Sequence, residues 1–207
     1  KKIILVYDAA NDIFELSKNN QYARQVIDSW AQAEWFTNKK SLPEEIKCLV
    51  FKVKGETNTD DLSPAVHATS RPDIPLHALS MLEFKEETGL NILEDLKSQN
   101  IQIAYVGDVV GTGSSRKSAI NSLIWHIGEN IPFVPNKKTG GIVIGGKIAP
   151  IFFNTAQDSG ALPIEADVSN LDTGDLIKIE PYKGLIKKID PLSKSEEKIS
   201  QFDLKPS

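Results

Sequence analysis

The chain is poor in the residues that build metal centres, with one cysteine and three histidines among 207 residues. Protein-bound iron–sulfur clusters are held by several cysteine thiolates, so this chain alone cannot hold one. Cys48 lies in an apolar segment that alternates like a strand, which predicts a lone buried thiol. His67, His77 and His126 are widely scattered, with no second ligand at helix-face spacing, so each is predicted to be structural.

Two further absences narrow the class of protein. There is no run of about 18 apolar residues, as a membrane-spanning helix would require. The first residues, Lys1-Lys2-Ile-Ile-Leu-Val6, are too short for a signal-peptide core with a cleavage site. A formal charge of −4 argues against a general grip on nucleic acid, which would need a basic stripe. We therefore predict a cytoplasmic protein without a membrane partner.

The pattern of the chain changes near Leu42-Pro43. Residues 8–38 have helical periodicity interrupted at Asn19-Asn20, which predicts a helical hairpin too small to bury its own apolar face. Beyond Pro43 the chain alternates between short strands, glycine turns and isolated helices, which predicts an α/β fold with mixed strands. The predicted strands are 47–54, 101–106, 142–145, 162–167, 175–181, 184–190 and 197–204, and the predicted helices are 74–82, 91–99, 115–128 and 151–158.

A glycine-rich loop is the most informative segment. Gly107-Asp-Val-Val-Gly-Thr-Gly-Ser-Ser-Arg-Lys-Ser118 leads from a predicted strand into a predicted helix. Unpaired N–H groups and the positive end of the macrodipole favour an anion at such a helix start, and glycines let the backbone approach it closely. Arg116 adds a planar fork that suits a carboxylate or a phosphate. The loop therefore predicts an anion site, although a glycine turn before a capped helix is equally common.

Two familiar phosphate motifs do not fit this loop. A Walker A loop needs glycine directly before Lys-Ser or Lys-Thr, but Arg116 precedes Lys117. A dinucleotide fingerprint needs glycine three residues after Gly113, where Arg116 stands again.

Four long motifs resemble the swivel domain of the bacterial aconitase B family. They are Phe51-Lys-Val-Lys-Gly-Glu-Thr-Asn-Thr-Asp-Asp-Leu-Ser-Pro64, Ser70-Arg-Pro-Asp-Ile-Pro-Leu-His-Ala78, Gly107 to Ala119, and Gly145-Gly-Lys-Ile-Ala-Pro-Ile-Phe-Phe-Asn-Thr155 with Ser159-Gly-Ala-Leu-Pro163. The resemblance implies a swivelling β/β/α domain, like aconitase domain 4, over residues 41–207. It also implies that residues 1–40 are the C-terminal part of a HEAT-like helical domain, so that the chain resembles a fragment cut at both ends.

The resemblance further implies an aconitate hydratase, a hydro-lyase of the tricarboxylic acid cycle that interconverts citrate and isocitrate through cis-aconitate. Activity on 2-methylisocitrate is a variant of the same chemistry. Ser114 then corresponds to the general base, Ser115 and Arg116 to substrate-carboxylate ligands, and Arg71 to a further ligand from a second loop. Asp60 matches an acidic active-site position. A [4Fe-4S] cluster of the complete enzyme would be ligated by cysteines outside this chain, with no cofactor in this segment, which is expected to be inactive alone.

The resemblance also implies partners: the cluster-bearing domains of the same enzyme, a homodimer through the helical domain, and messenger RNA when the cluster is lost. Two alternatives stay open. One is a separate small subunit of an isopropylmalate isomerase-type dehydratase, although that family usually has Ser-Ser-Arg-Glu-His where this chain has Lys117-Ser118 after Arg116. The other is a non-catalytic module for dimerisation or messenger-RNA binding.

Overall fold

The computed structural model describes residues 9–37, 41–86 and 88–204. Its helices are α1 Ala9–Ser17, α2 Gln21–Ala31, α3 Glu34–Thr37, α4 Thr59–Leu62, α5 Ile74–Ala78, α6 Gly89–Lys97, α7 Arg116–Ile127 and α8 Pro150–Asp158. Its strands are β1 Ile46–Asn58, β2 Gln102–Thr112, β3 Glu129–Ile131, β4 Val134–Thr139, β5 Ile142–Ile148, β6 Leu162–Glu165, β7 Leu176–Glu180, β8 Leu185–Ile189 and β9 Glu196–Gln201. Single 3-10 turns lie at Ala65–His67 and Pro181–Lys183.

Seven strands form one mixed sheet in the order β6-β5-β2-β1-β7-β8-β9. Strands β1, β2, β5 and β6 are parallel, whereas β7, β8 and β9 form an antiparallel meander beside β1. Each crossover between the parallel strands steps in the same direction across the sheet, and such crossovers are right-handed, so their helices lie on one face. The carboxyl ends of four parallel strands therefore share one edge.

Apolar side chains alternate between the two faces of the sheet and build two cores. On the helical face, Phe51, Tyr105 and Val143 pack with the buried sides of α4, α6, α7 and α8. On the other face, Val50 and Ala104 pack with residues of the C-terminal meander. Both faces carry buried residues: helices pack on one, and the core of the other includes Val168, Leu171 and Phe202, which lie outside the strands.

The predicted strands and helices are present in the predicted order. Helix α4 was not predicted, and α5 ends at Ala78 rather than at residue 82. Strands β1 and β2 run several residues further than the alternation predicts, to Asn58 and Thr112. The β3–β4 hairpin was not predicted, since its residues are mostly polar and partly exposed. Helix α6 begins at Gly89, two residues before its predicted start, with Thr88 at its N-cap and without a side-chain cap.

The described residues form two compact units, one of residues 9–37, 41 and 131–135, and the other of residues 42–86, 88–130 and 136–204. In the first unit, the Asn20 side chain caps α2 by accepting a hydrogen bond from the Ala23 N–H at 3.0 Å. Trp30 Nε1 donates to the Phe133 carbonyl at 2.7 Å, and Tyr22 meets the Phe133 ring edge to face. Within the described residues, no helix reaches the length and apolar character needed to cross a bilayer.

Candidate active site

The site begins where β1 and β2 end. Asn58 and Thr112, the last residues of the two parallel strands, are partners in the register. The register carries one extra residue in β1 between Val53 and Glu56 and a compensating extra residue in β2 between Val110 and Thr112. At the first of these bulges, Gly55 has a φ of +74° and donates its N–H to Asp108 Oδ2 at 2.6 Å. The residues that follow each strand therefore start side by side at the carboxyl edge, which is where open α/β sheets bind ligands.

The turn after β1 is held by a capping box. Asn58 Oδ1 accepts the N–H groups of Asp60 and Asp61 at 2.8 Å, and Asp61 Oδ2 accepts the Asn58 N–H at 2.8 Å. These bonds satisfy donors that a short helix leaves unpaired. They also keep the Asp61 side chain inside the turn, whereas the Asp60 side chain is exposed at its surface.

Thr59 joins this turn to the glycine-rich loop after β2. Its side-chain Oγ1 accepts the Ser115 N–H at 3.2 Å. Gly113 has a φ of +108°, and a Cβ added there would lie 2.5 Å from Thr59 Oγ1. Thr59 was missed by the sequence analysis because the contact spans 56 positions and follows no local spacing.

The loop then leads into the start of α7, whose first N–H groups are unpaired in the described structure. Ser115 is the N-cap of α7, yet its hydroxyl does not bond the helix backbone, and the side chains of Ser114 and Ser115 are exposed. Within the described ranges, the N–H groups of Arg116, Lys117 and Ser118 have no protein acceptor. Unpaired donors and the macrodipole make this position favourable for an anion.

Arg116 lies next to the same loop. It is half-buried, and its Nη1 donates to the Gly113 carbonyl at 3.2 Å. The guanidinium is thereby kept beside Ser114 and Ser115, and its other donors are available for a carboxylate.

Asp60 and Arg71 are connected through a 3-10 turn. Asp60 Oδ1 accepts the Ala65 N–H at 2.8 Å, which fixes the start of the Ala65–His67 turn. At the other end, the Arg71 N–H donates to the His67 carbonyl at 2.8 Å, and His77 Nδ1 donates to the Arg71 carbonyl at 3.1 Å. The backbone of Arg71 is therefore held on both sides.

The predicted site residues differ in how directly the structure connects them. Helices α4 and α5 both contact α7, so the segment with Asp60 and Arg71 lies on the helix that Ser115 begins. Thr59 connects Asp60 directly to the serine loop. Among the described residues, no hydrogen bond or ion pair connects the Arg71 guanidinium to Ser114, Ser115 or Arg116.

The base of the loop is supported by α8. Gly111 has a φ of +80°, and the Phe152 ring fills the space where its Cβ would be, with Phe152 Cγ only 2.1 Å from that position. The Ala149 N–H donates to the Val110 carbonyl at 2.9 Å and connects the start of α8 to the end of β2.

Metal-ligating residues do not converge in this part of the protein. Over the described ranges, no group of three or more His, Cys, Asp or Glu side chains could hold a metal ion. Cys48 is fully buried, and burial raises the pKa of its thiol to about 12. A protonated, buried thiol does not fit the role of a cluster ligand, which must be a thiolate. Each histidine has a protein partner instead, since His67 bonds Glu83, His77 bonds the Arg71 carbonyl and His126 bonds the Ala78 carbonyl.

The one-sided helical layer and mixed sheet define an aconitase swivel-like α/β fold. The structure is similar to a crystal structure of 3-isopropylmalate dehydratase from Methanocaldococcus jannaschii, with a TM-score of 0.52 and 21% identity over 76% of this chain and 82% of that one. This likeness concerns the fold and confirms the predicted class.

Sequence comparison identifies the family. Residues 48–207 match the family model described as aconitate hydratase 2 N-terminus, and residues 1–36 match that of the aconitate B N-terminal domain. Aconitate hydratase B of Synechocystis is 63% identical over 99% of this chain, and that of Escherichia coli is 53% identical over 98%. The chain belongs to the aconitate hydratase B family, as its motifs predicted.

The chain spans only 23–24% of the length of these aconitate hydratases. It is also 30% identical to the 3-isopropylmalate dehydratase small subunit of Clostridium beijerinckii, over 73% of this chain and 83% of that subunit. The chain therefore spans a small part of the aconitate hydratases but most of the dehydratase small subunit.

Proposed function

We propose that this chain is part of an aconitate hydratase B and supplies substrate-binding residues and the serine base for the isomerisation of citrate and isocitrate through cis-aconitate. Residues 41–207 would form the swivel domain, and residues 1–40 the end of a preceding helical domain of HEAT-like type. The observation that carries the proposal is the hydrogen bond from Ser115 to Thr59. It holds the exposed serine loop and the Asp60 turn together at the carboxyl edge of the sheet.

The reaction requires three carboxylates to be gripped and one weakly acidic C–H proton to be removed. The free N–H groups at the start of α7, with the guanidinium of Arg116, offer charge-assisted hydrogen bonds to a carboxylate. Arg71 would bind a second carboxylate from its own loop, and Ser115 would add a hydroxyl.

Ser114 would accept the proton on its Oγ. A serine hydroxyl is a very poor base unless its alkoxide is stabilised, and preorganised donors with nearby positive charge provide that stabilisation. The α7 N-terminus and Arg116 are such groups. Asp60 would act indirectly, since its carboxylate holds the Ala65 N–H at the start of the turn before Arg71.

The departing hydroxyl needs an acceptor that this chain does not supply. The family implies a [4Fe-4S] cluster, and Cys48 does not fit as its ligand, so we propose that the cluster is held by cysteines outside this chain. The substrate and the cluster-bearing domains of the same enzyme are then the partners of this domain. On this basis the isolated chain would not hydrate cis-aconitate, and the complete enzyme would act in the tricarboxylic acid cycle in the cytoplasm.

The proposal is tested in the complete enzyme with Ser114→Ala and Arg116→Ala. Turnover of cis-aconitate, followed by its ultraviolet absorbance, should fall by about 10²–10⁴-fold or more in Ser114→Ala, the usual contribution of a positioned acid–base group. Ser98→Ala is the control, because it removes an exposed hydroxyl that donates to the Asp95 carbonyl at the end of α6, outside the serine loop. Near-normal turnover by Ser114→Ala, with an unchanged circular dichroism spectrum, would refute its assignment as the base.

A second candidate is the small subunit of an isopropylmalate dehydratase. The observation in its favour is the 30% identity to such a subunit over most of its length. The much higher identity to aconitate hydratase B and the Arg71 motif favour the first proposal. Turnover of citrate rather than isopropylmalate by the assembled enzyme distinguishes the two.

The homodimer and the messenger-RNA partner stay predictions from the resemblance, as does activity on 2-methylisocitrate. With a formal charge of −4, the chain is expected to bind RNA weakly, with an affinity that falls steeply as salt rises. Tight RNA binding by this chain at physiological salt would favour the non-catalytic module instead.

A further inference from the structure

We propose that Thr59 is a positioning residue for the reaction: its hydroxyl holds the Ser115 backbone and thereby sets the orientation of the Ser114 side chain. The inference deepens the proposed function and rests on it, because it assumes that the serine loop reacts with substrate. Thr59 itself is 3% exposed and is not proposed to touch the substrate.

The serine loop, Gly113 to Ser115, has little support of its own. Gly113, Ser114 and Ser115 are all exposed. The Arg116 bond to the Gly113 carbonyl and the Ala119 bond to the Ser115 carbonyl are both local to the segment. Among the described contacts of these three residues, the hydrogen bond to Thr59 is the one that reaches a distant part of the chain.

Thr59 and Gly113 also fit together sterically. Thr59 Oγ1 lies 2.5 Å from the position of a Cβ at residue 113, so the threonine occupies space that any other residue there would need. The φ of +108° at Gly113 is likewise a conformation that L side chains rarely adopt. Glycine at 113 and a small hydroxyl side chain at 59 therefore fit together as a pair.

The bond to Thr59 also determines which N–H groups remain for an anion. Thr59 accepts the Ser115 N–H, which leaves those of Arg116, Lys117 and Ser118 without a described acceptor. A buried hydroxyl that pairs with one loop donor keeps that donor from turning toward the ligand. The free donors then converge from the first turn of α7 alone, while Ser114 lies on the loop in front of them.

Loss of this bond should affect catalysis more than binding. A misplacement of about 1 Å in a reacting group can lower the rate by about 100-fold. The arginines that would grip the carboxylates are not bonded to Thr59, so ground-state binding should change little. In the complete enzyme, Thr59→Val should therefore lower kcat for cis-aconitate by about 10–100-fold, with KM altered by less than about threefold.

The experiment compares Thr59→Val with Thr59→Ser and a control. Valine keeps the shape of threonine without its acceptor, whereas serine keeps the hydroxyl and should recover most of kcat. Thr155→Val is the matched control, because Thr155 donates only to the Ile151 carbonyl within α8, at 2.7 Å, and should leave kcat unchanged. If Thr59→Val does not fold, the same comparison is made with Thr59→Ala.

Hydrogen exchange gives the readout that a merely structural effect would not produce. Measured on the complete enzyme, exchange of the Ser115 amide should be faster in Thr59→Val than in the wild type and normal in Thr59→Ser and Thr155→Val. Wild-type kcat in Thr59→Val, or equal loss of kcat in Thr59→Ser, overturns the proposal. Ser114→Ala distinguishes a failure of the positioning role from a failure of the proposed function. If Ser114→Ala is inactive while Thr59→Val is fully active, only the positioning role of Thr59 fails. If Ser114→Ala itself is active, the proposed function fails.

Discussion

Replacement of Gly111 by alanine tests how the base of the serine loop is packed. Gly111 has a φ of +80°, and its added Cβ would lie 2.1 Å from Cγ and 2.6 Å from Cβ of Phe152. Phe152 is fully buried and belongs to the helical-face core, so the ring cannot simply turn toward solvent. Either α8 or the end of β2 must move.

Two unfavourable contributions to the free energy of folding add in Gly111→Ala. An L side chain in a left-handed conformation costs roughly 1–2 kcal/mol, and overpacking of a close-packed core typically costs about 1–3 kcal/mol. The expected loss in the free energy of unfolding is therefore about 3 kcal/mol, a large part of the roughly 5–15 kcal/mol of a typical domain. For a protein of this size it should lower Tm by roughly 10 °C.

Gly140→Ala separates the two costs. Gly140 has nearly the same φ, +79°, but nothing lies within 4 Å of its added Cβ. Both glycines belong to the second compact unit, as does Trp125, whereas Trp30 and Trp35 belong to the first. Guanidinium unfolding of the 207-residue chain, followed by Trp125 fluorescence in a Trp30→Phe/Trp35→Phe background, should therefore show a larger loss for Gly111→Ala by about 1–3 kcal/mol. Equal losses in the two variants would show that Phe152 does not pack on Gly111.

Three further predictions concern buried titratable groups. Hydrogen bonds from Lys183 and Lys187 lower the pKa of Glu180 to about 2, so its contribution to stability is complete above its ordinary value of 4.5 and is lost as pH falls toward 2. The stability difference between wild type and Glu180→Gln should therefore narrow over that range in acid denaturation, and a constant difference would contradict the ion pairing. Burial lowers the pKa of His126, so the unfolded chain takes up more protons than the folded one below about pH 6.5, and the free energy of unfolding should fall from pH 7 to pH 5. His126→Asn should flatten this dependence of stability on pH. An unchanged dependence in urea titrations would rule out His126 as its source. Burial raises the pKa of Cys48 to about 12, so its thiol should react with a disulfide reagent only at the rate of unfolding. Fast labelling of the native chain would contradict the burial of this thiol.

Several features of this protein follow from local sequence alone. The alternation around Cys48 places this thiol on a strand, and the structure confirms both the strand and its burial. The glycine loop before Ala119 predicts a strand, a turn and a helix start, all of which are present. These features depend on backbone preference and side-chain periodicity within one segment, which is why a single sequence suffices.

The shape of the candidate site depends on contacts that no segment determines by itself. Asn58 faces Thr112 because the bulge in β1 is compensated by one in β2, a strand that begins more than 40 residues later, so that the register returns to its starting offset. A one-residue slip would turn each side chain to the opposite face, so the meeting of Thr59 with Gly113 and Ser115 depends on that register. The sequence by itself determined most of the strands and helices and indicated the candidate site residues. The tertiary structure alone decided which of them touch, because strand pairing and close packing act between distant parts of the chain.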